Sequence, residues 1–296
     1  MFVARPPTGP PPRRDLRLVR AARRTFTGPA EFLADSSNLA RVGEYLADMA
    51  RPYRRRLPAG PRGGPPSRAL GQSYGEMAQQ LIAEAVSADE PVDLLVLAFS
   101  VHDMWPGRQT AAYLSGVTPG APFAFAVCDQ GSAAAFTGLR IAREYTSSAG
   151  IRRALVIVVE QAALPYDCPV ALPARHQGVA LLFGDGLPAR ARLTDLRQHA
   201  GVPPAGVADL AAAELKDLAG DPEAALVLSD ALGAAWTAPA AGRVRVMPAG
   251  QPSTDVWWGL ADELAGDPSG PGRLVVADYD PTLRYLCLAA FDTRPA

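Results

Sequence analysis

Hydrophobic and polar positions change period many times along the chain. Over 36–50, Leu39, Val42, Leu46 and Met49 recur at helical spacing behind a serine. Ser73 and Glu76 form an S-x-x-E capping box, opening a helix with Met77, Leu81, Ile82, Ala85 and Val86 on its inner face. Pro91 leads into an apolar run over 92–101, which reads as a buried strand. The pattern continues with a helix over 110–115, a strand over 123–128, a helix over 132–145, and strands over 154–159 and 179–183. After Gly186 the order restarts. It reads as a strand over 191–193, a helix over 207–218, strands over 224–228 and 244–247, a helix over 254–265, and strands over 273–277 and 284–291. Apolar strands alternating with helices predict a mostly parallel sheet covered on both faces. Two α/β halves of unequal size result, and their letters alone do not establish a repeat.

Composition fits that picture, since 296 residues that are 48% hydrophobic and 20% charged describe a globular chain able to bury a core without disulfide or metal support. The three cysteines, Cys128, Cys168 and Cys287, fit a reducing compartment. With three histidines and no CxxC or HxxxH spacing, no metal site is expected. No apolar run is long enough to span a membrane, and the first residues lack the apolar core of a secretory signal, so the expected location is cytoplasmic. Charge is uneven: residues 1–68 carry 14 arginines against five acidic residues, and the remainder is acidic. The five prolines of 5–14 predict an extended arm, and 51–68 reads as a Pro/Gly/Arg-rich loop. The chain therefore divides into a basic segment (1–68) leading into a first half (69–186), followed by a second half (187–296).

Within 123–161 a strand runs into a tight turn, Asp129-Gln130-Gly131, and then into a helix opening at Ser132. A side chain there sits among unpaired N–H groups at the positive end of the helix dipole, where an oxyanion or thiolate is stabilised. Taken alone, Ser132 also reads as an ordinary N-cap. Three further segments follow in order: HQGVALLFGDG (176–186), GQPS (250–253) and RLVVADYDPTLRYLCLAAF (273–291). Over about 70–296 this series resembles the thiolase superfamily, specifically ketosynthase III-like enzymes acting on acyl groups carried by coenzyme A or acyl carrier protein. The resemblance implies an α/β, thiolase-like fold: two related halves whose central mixed sheets are covered by helices in αβαβα layers. It puts Ser132 on the position of the catalytic cysteine and Glu160 at the end of the following strand. Cys128, four residues earlier, breaks the register of that helix and is assigned to the core.

The remaining family positions depart from the pattern. Ser229 stands where the family has its histidine, Gln251 replaces the asparagine of Gly-Asn-Thr-Ser, and Asp280 replaces the glycine whose N–H completes the oxyanion hole. A carboxylate there repels a developing oxyanion unless it is turned away or protonated, so decarboxylative condensation is not expected. A serine also needs a base, which a helix dipole does not replace. The histidines are His102, His176 and His199. His199 ranks first because the family draws its base from the second half, and each also reads as a surface or structural imidazole. Asp278 and Asp280 are candidate orienting carboxylates.

Two functions follow from the resemblance. One is a non-condensing acyltransferase of polyketide or other secondary metabolism that passes an acyl group through Ser132. The other is a catalytically inactive, chain-length-factor-like partner of a ketosynthase. Neither needs a tightly bound cofactor, because acyl-CoA or phosphopantetheinyl acyl carrier protein is the substrate. Arg54, Arg55 and Arg56 suit docking of an acidic carrier protein and also read as a solvated loop. No nucleic-acid-binding motif accompanies them, so neither nucleic acid nor membrane is expected as a partner. The family pairs subunits through the strand before the nucleophile, which implies a homodimer or a heterodimer with a ketosynthase. Adjacent positions on a helix point about 100° apart, so at most one of Trp257 and Trp258 faces an acyl cavity.

Overall fold

The computed structural model describes residues 15–28, 30–31, 35, 37–38, 40–41, 44, 71–105, 109–164, 170–185, 188–220, 223–237, 243–266 and 270–294. The arm 5–14, the loop 51–68 with Arg54, Arg55 and Arg56, and most of the helix expected over 36–50 lie outside the described residues.

The first half contains β1 (Leu16–Phe26), α1 (Tyr74–Ala85), β2 (Leu94–Ala98), α2 (Thr110–Val117), β3 (Phe123–Val127), α3 (Ala133–Ser148), β4 (Arg153–Glu160) and β5 (His176–Gly184). The second contains β6 (Ala191–His199), α4 (Pro204–Ala219), β7 (Ala225–Leu228), α5 (Asp230–Ala235), β8 (Arg243–Val246), α6 (Asp255–Ala265), β9 (Arg273–Asp280) and β10 (Tyr285–Asp292). The Ser73 capping box forms, with Ser73 N–H donating to Glu76 at 2.8 Å and Glu76 N–H to Ser73 Oγ at 3.3 Å.

Ten strands form one sheet in the order β3-β2-β4-β5-β1-β6-β10-β9-β7-β8. From either edge to the middle, each half supplies its third, second, fourth, fifth and first strand. Registers agree as well. Leu94 faces Ala154 in the first half as Ala225 faces Leu274 in the second, and Arg153 faces Gly184 as Arg273 faces Asp292. The repeat that the letters hide is therefore present in topology and register. The sheet is mixed rather than mostly parallel, because β1, β4 and β5 pair antiparallel, as do β6, β9 and β10.

Strand alternation sorts the core into layers. Val96, Val156, Val227 and Val276 turn to a middle layer shared with Phe136 of α3 and Trp257 of α6. Leu95, Leu97 and Ile157 pack on the α1 side, and Leu226, Leu228 and Val275 pack on the α4 side. This is the expected αβαβα order.

Two elements were not expected. β1 falls inside the segment set apart as 1–68, yet it pairs with both β5 and β6 and joins the halves. Three of its four arginines are matched across the layers: Arg20 with Glu90, Arg24 with Glu84, and Arg23 with Asp262 beneath the Trp258 ring. α5 is a short helix capped by Ser229.

Candidate functional site

The turn before α3 holds Asp129 at φ 61° and Gly131 at φ 54°, both left-handed. Glycine is required at 131, because a Cβ there would collide with the Asp280 carboxylate. Ser132 follows, buried, with helical φ −66° and ψ −21°. Its side chain caps nothing, so the N-cap reading does not hold. Its Oγ has no hydrogen-bond partner of good geometry among the described residues.

Alternation along β9 turns Asp278 and Asp280 toward the middle layer, while Ala277 and Tyr279 pack in the outer one. Ser132 N–H donates to Asp280 Oδ2 at 3.3 Å, and Asp280 Oδ1 accepts from the N–H groups of Thr282 and Leu283, each at 2.9 Å. The carboxylate expected to trouble an oxyanion hole is thus not turned away: it occupies the N–H that such a hole would use. Asp278 is fully enclosed. Burial pushes its carboxyl up to about 6, against the hydroxyls of Ser132 and Ser229, which stabilise the anion. Ser229 Oγ accepts from the N–H groups of Tyr279 at 3.3 Å and Leu232 at 3.4 Å, so at the histidine position it serves as a helix cap.

Gln251 is engaged elsewhere. Its Nε2 donates to Glu160 Oε2 at 3.2 Å and to the Arg175 carbonyl at 3.1 Å, while its Oε1 accepts from Arg175 N–H at 2.8 Å. Glu160 also accepts from Ser253 N–H at 2.7 Å, Thr254 N–H at 3.2 Å and Thr254 Oγ1 at 2.5 Å. Burial pushes Glu160 up to about 7 despite these donors. Asp255 is a residue the sequence did not single out. It lies buried at the start of α6 with Oδ2 unpartnered, and burial together with the neighbouring Asp278 carboxyl raises its pKa well above the usual range.

None of the histidines completes a catalytic pair. His199 ends β6, where Gln198 points to α3, donating to Thr137 Oγ1 at 3.2 Å, and His199 turns to the opposite face, 3.2 Å from Glu214 of α4. His199 is therefore removed as the base by strand alternation. His176 Nδ1 accepts from Ala162 N–H at 3.3 Å, and His102 lies 3.9 Å from Asp129 on the surface. Cys128 packs partly against the outer core, its thiol pushed up by burial and by Asp129, which leaves little thiolate. Trp257, fully buried, packs against Phe136 at 4.7 Å between ring centroids, and Trp258 is half-buried. Phe136 lies one turn along α3 from Ser132, so aromatic rings fill the layer beneath it. Among the described residues no group of three His, Cys, Asp or Glu side chains is placed to hold a metal ion, and no helix is long and apolar enough to cross a membrane.

No family model matches the sequence, and no curated protein does. Solved structures match over nearly the whole chain. AbyA1, a tetronic acid condensing enzyme, superposes with a TM-score of 0.61 at 17% identity, covering 94% of this chain and 99% of that one. ChlB3, an acyltransferase, gives 0.58 at 18%, covering 95% and 98%. The 3-oxoacyl-[acyl-carrier-protein] synthase III of Aquifex aeolicus VF5 gives 0.57 at 14%, covering 94% and 99%. The chain has the thiolase-like fold of the ketosynthase III structures, as the order of its motifs implies.

Proposed function

We propose that this chain is a ketosynthase III-like subunit of acyl-thioester metabolism that does not itself catalyse, working as the silent partner of an active ketosynthase. The observation that carries this reading is the Asp280 carboxylate on the Ser132 N–H. Acyl transfer generates an oxyanion that must be met by donors fixed in advance, and here an acceptor occupies the principal donor. The histidine position holds a serine engaged in capping, and the asparagine position holds a glutamine engaged by Glu160. The exposed sheet edge supports a partner: β3 reads FAFAV, Phe123 is 59% exposed, and Phe123, Phe125 and Tyr145 cluster beside it. A second subunit adding a strand there would cover an edge that is otherwise open. A carrier protein or coenzyme A thioester would then be delivered to the pair.

A second reading, acyl transfer through Ser132, is favoured by the Ser132 hydroxyl beside the Asp278 carboxyl, whose pKa of about 6 suits a base. One experiment divides the two. The purified protein is incubated with acyl-CoA and acyl-carrier thioesters, and intact mass is recorded for wild type, Ser132→Ala and the double variant Ser132→Cys, Asp280→Gly. The silent reading expects no acyl increment on wild type and an increment on the double variant, in which nucleophile and hole are restored. An increment on wild type that is lost in Ser132→Ala overturns it in favour of acyl transfer.

A further inference from the structure

Several arginines among the described residues face carboxylates. Arg197 meets Asp195, Glu214 and Asp217, and Arg20 meets Glu90. One hollow gathers more arginines than carboxylates. It lies where β1 and β6 pair at the junction of the halves and is lined by Arg17, Arg190, Arg192, Arg294, Asp15 and Asp292, with a volume of about 50 Å³. That is several times the roughly 10–15 Å³ that admits one water. Four arginines line it beside two aspartates. Arg192 takes both, at 3.2 Å to Asp15 and 3.1 Å to Asp292. Arg190 donates to the Leu264 carbonyl at 3.1 Å, and neither it nor Arg17 has a carboxylate partner among the described residues.

The repeat explains how the imbalance arises. Leu18 faces Phe183 as Leu193 faces Phe291, so Arg17 corresponds to Arg192, and Gly184, following Phe183, corresponds to Asp292. The second half supplies a counter-ion for its arginine. The first half has glycine at that place, leaving Arg17 opposite Arg192 across the ladder without one. Like charges gathered without counter-ions are costly unless an anion joins them, and guanidinium forks match the spacing of phosphate oxygens.

From this geometry we infer that the hollow is a binding site for a phosphate-type oxyanion, either free phosphate or the phosphoryl group of a larger molecule. It is separate from Ser132. β1 begins level with the start of β4, since Leu18 and Ala154 both face Phe183, and Ser132 interacts instead with Asp280 at the far end of β9. The inference therefore stands whichever reading of Ser132 holds.

The test titrates the whole protein with inorganic phosphate, and separately with ribose 5-phosphate, at ionic strength held constant by chloride, following heat and thermal midpoint. Variants are Arg17→Gln with Arg190→Gln, and Arg245→Gln as a surface control whose partner is Asp262. The expected result is saturable phosphate binding that weakens at least tenfold in the double variant and is unchanged in the control. The thermal midpoint without phosphate reports that the variants fold. Equal binding of the sugar phosphate marks the phosphoryl group of a larger molecule as an acceptable ligand, whereas binding of inorganic phosphate alone marks a free-ion site. A response reproduced by chloride, or one equal in the double variant and wild type, overturns the proposal.

Discussion

The two middle helices begin in matching places of the repeat and are capped in opposite degrees. α6 starts under Glu160, the last residue of β4, which accepts two backbone N–H groups, the Thr254 hydroxyl and the Gln251 amide. α3 starts under Asp280, the last residue of β9, which accepts from this helix only the Ser132 N–H and leaves the serine hydroxyl without a hydrogen bond of good geometry. Each carboxylate comes from the half that does not own the helix, so the halves lock each other reciprocally. At α6 backbone and side chains are all recruited, and the site is architectural. At α3 the backbone is tied down in the same way, but the serine side chain makes no hydrogen bond of good geometry. An acceptor fixed beside a helix start thus turns its open N–H groups into a structural joint.

The largest test of that lock is Glu160→Ala. It strips four hydrogen bonds from a fully buried junction, and losing one partner of such a network costs about 3–5 kcal/mol. Denaturant unfolding should show at least 3 kcal/mol lost, and a loss under 1 kcal/mol would falsify the claim that Glu160 fastens the second half to the first. The next effect is on pH. Burial raises Glu160 from 4.5 to about 7 and Asp278 from 3.8 to about 6. A carboxyl whose folded pKa is raised favours folding while protonated. That contribution is complete below the unfolded pKa and is lost as pH climbs through the folded one. Stability should therefore fall by about 3 kcal/mol for each group, at 1.36 kcal/mol per pKa unit, between about pH 4.5 and 7 for Glu160 and between about pH 4 and 6 for Asp278. Glu160→Gln should flatten the slope that runs up to about pH 7 and Asp278→Asn the slope that ends near pH 6. A slope unchanged in both variants would show that other groups carry it.

Much of this architecture was legible because buried strands write themselves as apolar runs, and β2, β4 and β9 stand out for that reason. β1 was not, because four of its eleven residues are arginine, and the carboxylates that match three of them belong to α1, to the segment following it and to α6. Charge in a strand becomes tolerable only through partners that the local sequence does not display. The position of Ser132 was readable from the order of motifs, and so was the conflict at Asp280. The failure at His199 has a simple cause: β6 carries a bulge at Thr194, which moves the inward face from Ala191 and Leu193 to Leu196 and Gln198, and the letters ARLTDLRQH do not display it. Asp255 was invisible for a different reason, since an acidic residue opening a helix reads as ordinary dipole compensation, and only the fold brings Asp278 against it.

Smaller effects separate the two helix termini more finely. Asp280→Ala releases one N–H at Ser132 and two in the following turn, and loss of a cap of this kind costs about 1 kcal/mol. Thermal unfolding of this variant should show a drop clearly below that of Glu160→Ala. A drop as large would mean that the two carboxylates bear equal weight and that the asymmetry between the termini is wrong.

The last pair is the most telling. Thr254 Oγ1 donates to Glu160 at 2.5 Å and accepts from Gln177 Nε2 at 3.0 Å, so replacing the threonine leaves two buried groups short of a partner. Thr254→Val keeps the shape and should cost about 1–3 kcal/mol, the penalty for buried polar groups left unsatisfied. Ser132→Ala removes a buried hydroxyl that satisfies no partner of good geometry, so its cost should lie within about 0.5 kcal/mol of zero. It should also lift Asp278 further, because one of the hydroxyls stabilising its anion is gone. Urea unfolding of both variants at pH 5 and pH 8 measures the difference. If Ser132→Ala is as costly as Thr254→Val, the serine is part of the lock and its availability for chemistry disappears. If it is neutral, the hydroxyl is retained at the site for a reason other than folding, and the thioester assay on wild type decides whether that reason is acyl transfer.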